Sequence, residues 1–93
     1  MKEKIVSMKR KYTKKNVNKV PSKPCAYKLY DKSGDILRNG STRDCNRRLN
    51  EHLGQFPGVG TFSTKITKTW TRAHNIEKAD CKKFDPPFNF KCG

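Results

Sequence analysis

The stretch CAYKLYDKSGDILRNGSTRDCNRRLNEHL, residues 25–53, decides the fold. It opens with a short apolar-rich run, Cys25 to Tyr30, which reads as a strand. Asp31-Lys32-Ser33-Gly34 is a turn, and Asp35 to Arg38 reads as a second strand. Ser41 or Thr42 is positioned to cap a helix, with Asp44 in its first turn, where a carboxylate suits the helix dipole. Cys45, Leu49 and Leu53 recur every four residues as its buried stripe, and Gly54 marks its end. Arg48 and His52 sit one position ahead of Leu49 and Leu53, one helical turn apart. A hairpin thus feeds a helix that points a cation and an imidazole the same way.

After a loop holding Pro57, Gly58 and Gly60, the β-branched alternation of Thr61 to Lys68 argues for a third strand. Thr69 caps a second helix, expected over residues 70–84, with Glu77 beside its apolar stripe. Pro86 and Pro87 stop that helix. Trp70, Phe84, Phe88 and Phe90 read as core and tail packing. Upstream, the Pro-containing run at residues 20–24 is an extended entry. Residues 1–20 are dominated by Lys and Arg and bury too little to fold alone. They read as a flexible basic arm, leaving residues 21–93 as one α+β domain. The expected fold is a three-stranded, mainly antiparallel sheet flanked by helices.

A length of 93 residues fits one domain with a modest core. Twenty-two basic side chains against eight acidic ones leave a formal charge of +14, which calls for a polyanionic partner. The candidate partners that charge allows are DNA, RNA or an anionic membrane surface. No apolar run is long enough to cross a membrane, and the N-terminus shows no signal-peptide apolar core, so a cytoplasmic protein is expected. Cys25, Cys45, Cys81 and Cys92 form no C-x-x-C pair. In that compartment they read as reduced thiols. A secreted cationic peptide held by two disulfides is the rival reading.

The layout resembles the GIY-YIG nuclease family. The first family triplet corresponds to Cys25-Ala26-Tyr27 and the second to Arg38-Asn39-Gly40, and Ser41-Thr42, Arg48-Leu49 and His52 follow at family spacing. Glu77 is followed by Pro86-Pro87-Phe88-Asn89, again at the family's interval. The resemblance implies a metal-dependent DNA endonuclease that hydrolyses phosphodiesters in a repair or mobile-element setting. It implies one Mg²⁺ or Mn²⁺ on Glu77, Tyr27 as general base, His52 assisting Tyr27, Arg48 on the scissile phosphate and Asn89 in support. Arg38, Arg43 and Arg47, with Lys9, Arg10 and Lys11 of the arm, are the expected nucleic-acid contacts. Each role has a plain rival: a solvated cation for Arg48, a helix ion pair for Glu77, a satisfied core hydroxyl for Tyr27. Arg38 stands where the second triplet carries its tyrosine, and arginine cannot act as a base. Asn39 puts a polar side chain at a position expected to be buried. A domain that binds nucleic acid but does not cut it is therefore the alternative.

Overall fold

The computed structural model describes residues 9–55 and 58–84. Its elements run β1 (Arg10–Lys11), α1 (Lys14–Val17), β2 (Cys25–Asp31), β3 (Ile36–Thr42), α2 (Cys45–His52), β4 (Val59–Ile66) and α3 (Trp70–Phe84). One sheet forms in the order β1-β4-β2-β3, with every pairing antiparallel.

The α+β class and the hairpin stand as expected. The Asp31 carboxylate accepts from the backbone N–H groups of Ser33 and Asp35, each at 2.9 Å, and Gly34 supplies the positive φ that the turn needs. β3 runs four residues further than its propensities suggested. Asn39 and Gly40 are weak strand formers, but their pairing with Lys28 and Tyr27 holds them in the ladder. The cap of α2 therefore moves to Asp44, whose carboxylate accepts from Arg47 N–H at 3.1 Å. Thr69 does cap α3, accepting from Arg72 N–H at 3.2 Å.

The sheet has four strands, not three. The additional strand lies inside the segment expected to be an unstructured arm. Arg10 and Lys11 pair with Phe62 and Thr61, which requires only backbone groups and no apolar side chain. Tyr12 then packs on Phe62 with ring centroids 5.4 Å apart and donates its hydroxyl to Leu49 O at 2.7 Å. Val17 and Val20 close the core. The expected domain boundary at residue 20 thus falls within folded structure.

The thiol reading also needs correction. Cys25 and Cys45 are joined as a disulfide, their Cα atoms 5.6 Å apart, and Cys81 is disulfide-bonded as well. Cys25 lies opposite Thr42 in the ladder, and α2 starts three residues beyond Thr42. Cys45 N–H donates to Lys23 O at 2.9 Å, which brings the two side chains together. A sequence separation of 20 gave no local sign of this.

Strand alternation gives the sheet two unlike faces. Cys25, Tyr27 and Leu29 join Val17, Val20, Cys45, Leu49 and Phe62 in the apolar core beneath α1 and α2. The opposite face meets α3 through polar contacts. Lys28 pairs with Asp80 at 2.9 Å, and Asn39 Nδ2 donates to Glu77 O at 2.9 Å. That bond accounts for a buried asparagine at the middle of the second triplet. Ala73 and Cys81 are buried on α3, whereas Phe84, expected in the core, is 45% exposed at its end.

Candidate active site

Tyr27 leaves β2 on the α2 face and lies across Gly40, its partner on β3. A Cβ at position 40 would stand 2.6 Å from Tyr27 Cζ, so only glycine leaves room for the ring. β3 is the outermost strand on that side, and the phenol is carried across it towards the edge of the sheet. There it meets His52, the last residue of α2, with the hydroxyl 2.9 Å from Nε2. Both side chains are buried.

His52 Nδ1 lies 2.6 Å from Gln55 Oε1. An amide oxygen only accepts, so Nδ1 carries the proton and Nε2 accepts from the Tyr27 hydroxyl. Gln55, His52 and Tyr27 form a directed chain of hydrogen bonds. Burial pushes the His52 imidazole below its usual range. The Gln55 bond and the Glu51 carboxylate oppose that shift, while Arg38 and Arg48 reinforce it. The imidazole is therefore neutral near pH 7 and keeps its lone pair for the phenol.

Arg38 shares the Tyr27 face of the sheet, and its guanidinium favours the ionised phenol. Burial pushes Tyr27 above its usual range. Arg38 and Arg48 pull it back down, and Glu77 adds to the rise. The phenol thus feels both guanidinium groups and the Glu77 carboxylate. Arg48 is half-exposed, with Nε 3.7 Å from Glu51 Oε1.

Glu77 approaches from α3. Its Oε1 accepts from Ser41 Oγ at 2.7 Å and lies 3.4 Å from His74 Nδ1. Among the described residues, no group of three or more His, Cys, Asp and Glu side chains could enclose a metal ion. A single carboxylate suits a hard cation that keeps most of its waters, so the donor set fits Mg²⁺ better than zinc.

The expected nucleic-acid contacts divide. Arg38, Arg43 and Arg47 lie on β3, in the link after it, and on α2. Arg10 and Lys11 lie on β1, at the opposite edge of the sheet, and Lys9 covers the Tyr30 ring at 4.2 Å. Asn89 lies outside the described residues. Gln55 and Ser41 were not anticipated as site residues. Gln55 follows Gly54 beyond the helix end, and neither composition nor periodicity singles it out.

No family model matches the chain. It is 26% identical over 83 residues to UvrABC system protein C of Psychrobacter cryohalolentis and 27% identical over 83 residues to that of Psychrobacter arcticus. Each match covers 78% of the chain but only 14% of those longer proteins. Among solved structures, the GIY-YIG N-terminal endonuclease domain of Thermotoga maritima UvrC, bound to magnesium as its catalytic divalent cation, superposes with a TM-score of 0.73. The superposition covers 96% of this chain and 99% of that domain, at 23% identity. A point mutant of the same domain with its catalytic divalent cation gives 0.74 at 22% identity, over 98% and 100% of the two chains. The fold is that of a GIY-YIG endonuclease domain.

Proposed function

We propose that the chain is a metal-dependent DNA endonuclease of the GIY-YIG type. The observation that carries this reading is the Tyr27 phenol, passed over Gly40 to a neutral His52 Nε2 at 2.9 Å and coupled to Arg48 and Glu77. Tyr27 deprotonates the attacking water, and its own proton passes to His52, which Gln55 holds in the accepting tautomer. Arg48 offers its planar donors to the scissile phosphate. Glu77 would hold one Mg²⁺ or Mn²⁺. When bound, that ion supplies charge stabilisation at the phosphate. The fold likeness to a magnesium-bound UvrC domain supports this assignment. DNA is the proposed substrate, with repair as the setting that likeness favours; a second polyanion such as RNA suits the same charge.

A second reading has its own observation. Arg38 stands on the Tyr27 face where the second triplet carries a tyrosine, and burial pushes the phenol above its usual range. Both suit a domain that binds nucleic acid without cutting it. Incubation of supercoiled plasmid with Mg²⁺ separates the two. The nuclease reading expects nicking that Glu77→Ala abolishes while DNA binding persists. Wild-type protein that binds plasmid yet never nicks it with Mg²⁺ or Mn²⁺ overturns that reading in favour of the second.

Among the described residues, no helix is long and apolar enough to cross a membrane. The reduced-thiol expectation rested on the cytoplasmic one. The buried Cys25–Cys45 bond instead suits an oxidising compartment. Alkylation at harvest in denaturant without reductant tests this point, and four alkylated cysteines would restore the cytoplasmic reading.

A further inference from the structure

The first turns of α3 carry a stack that the proposed chemistry does not use. The Trp70 and His74 rings lie nearly parallel, with centroids 4.7 Å apart and planes 13° from each other. The Arg43 guanidinium lies over the Trp70 ring, its carbon 4.7 Å from the centroid. At the other end, His74 Nδ1 is 3.4 Å from both Ser41 Oγ and Glu77 Oε1. The groups form one continuous series: Glu77 carboxylate, His74, Trp70, Arg43.

The two ends of this series differ. The inner end adjoins the proposed metal carboxylate. The outer end is a charged plane on an exposed residue, in the link between β3 and α2. Most of the 22 basic side chains are ordinary solvated cations. Arg43 differs because its guanidinium lies over an indole, which limits its rotamers. A flat guanidinium has two recognition surfaces. Its outer plane stacks with a nucleobase, and its in-plane N–H groups donate to phosphate oxygens. A paired base inside a duplex offers no free face for such stacking, whereas an unpaired base does.

The geometry points to a subsite for an unpaired nucleotide beside the scissile phosphate, built from Arg43 on Trp70 with His74 behind it. The base extends the stack on the outer plane of Arg43, and the nucleotide's phosphate takes the in-plane N–H groups. Trp70 and His74 are positioning residues that keep the plane in place. This subsite rests on the nuclease reading only for its position next to Glu77. Its substrate class is therefore DNA with a single-stranded segment at the cleavage point.

Trp70 is the single tryptophan of the chain, so its emission reports on this place alone. The test is a fluorescence titration of the whole protein in EDTA at fixed salt. The probes are a short single-stranded deoxyoligonucleotide and its duplex, with binding followed in parallel by anisotropy of a labelled strand. The subsite predicts a saturable change in Trp70 emission with the single strand, and at least about fivefold tighter binding of that strand than of the duplex. Arg43→Lys keeps the charge but loses the plane, and should weaken single-strand binding about fivefold or more. Arg72→Lys, an exposed arginine two residues beyond Trp70, should change it less than about twofold. Binding seen by anisotropy without any change in Trp70 emission overturns the subsite. Equal effects of Arg43→Lys and Arg72→Lys also overturn it. Because EDTA removes any cleavage, a protein that behaves as predicted here but never nicks plasmid keeps the subsite and loses the nuclease assignment.

Discussion

The two faces of the sheet are held by different physics. Beneath α1 and α2 the contacts are apolar: Leu29, Leu49, Phe62 and Val17 are almost wholly buried, and a disulfide ties β2 to α2. On the other face α3 is registered by directional polar bonds, from Asn39 to Glu77 O, Ser41 to the Glu77 carboxylate and Lys28 to Asp80. Tyr27 and His52 belong to the first face and Glu77 to the second. Apolar packing provides most of the burial energy but only approximate direction, whereas hydrogen bonds provide direction with little net energy. The proposed base therefore sits in the strongly packed half, and the proposed metal ligand is aimed by the polar half.

The largest effect that can break this comparison is chemical. Tyr27→Phe removes the proposed base while keeping the ring over Gly40. Plasmid nicking should fall about 10²- to 10⁴-fold, with a stability loss of no more than about 1–3 kcal/mol from the unpaired His52 Nε2. Loss of activity accompanied by a collapse in melting temperature would show that the phenol serves packing instead.

The next effect concerns packing alone. Leu49→Ala should lower unfolding free energy by about 2–5 kcal/mol in a denaturant titration, because Leu49 is fully buried. Asn39→Ala on the polar face removes one directional bond and leaves Glu77 O without that donor, for about 1–3 kcal/mol. It should cost relatively more in nicking than in stability. If the two variants fall in the reverse order, the assignment of stability to one face and aim to the other is wrong.

Reducing the Cys25–Cys45 bond sharpens the same contrast. Closing a loop of this length contributes about 3 kcal/mol through the unfolded chain. Reductant should lower the melting temperature of wild type by more than that of a Cys25→Ala, Cys45→Ala double variant, which has only the Cys81 bond left to lose.

The smallest effect is with pH. His52 is held below its usual range in the folded state, so below about pH 6.5 the unfolded chain binds a proton that the folded chain does not. Stability is fully present above that pH and declines as the pH falls through the interval down to the folded value. His52→Gln should flatten this acid limb below about pH 6.5. A limb unchanged in the variant would assign it to other groups.

Much of the strand and helix pattern was legible in residues 25–53 and 59–84, because local turn chemistry and four-residue apolar spacing are properties of neighbours in the chain. The span of α3 agreed at both ends. The spacing of Tyr27, Arg48, His52 and Glu77 was likewise visible. Other features were settled by residues far apart in sequence. β1 exists because β4 offered an edge to two charged residues with no strand signal of their own. Cys25 and Cys45 are bonded because the β2–β3 register brings the start of α2 over the start of β2. Asn39 is satisfied by a carbonyl 38 residues away, and Gln55 acts only because α2 ends beside Tyr27. By itself the chain's pattern of turns, caps and apolar repeats determined which segments became hairpin and helix. Which side chains share a proton, a sulfur bond or a stack was decided only when the sheet closed, because those contacts depend on register and register belongs to the whole fold.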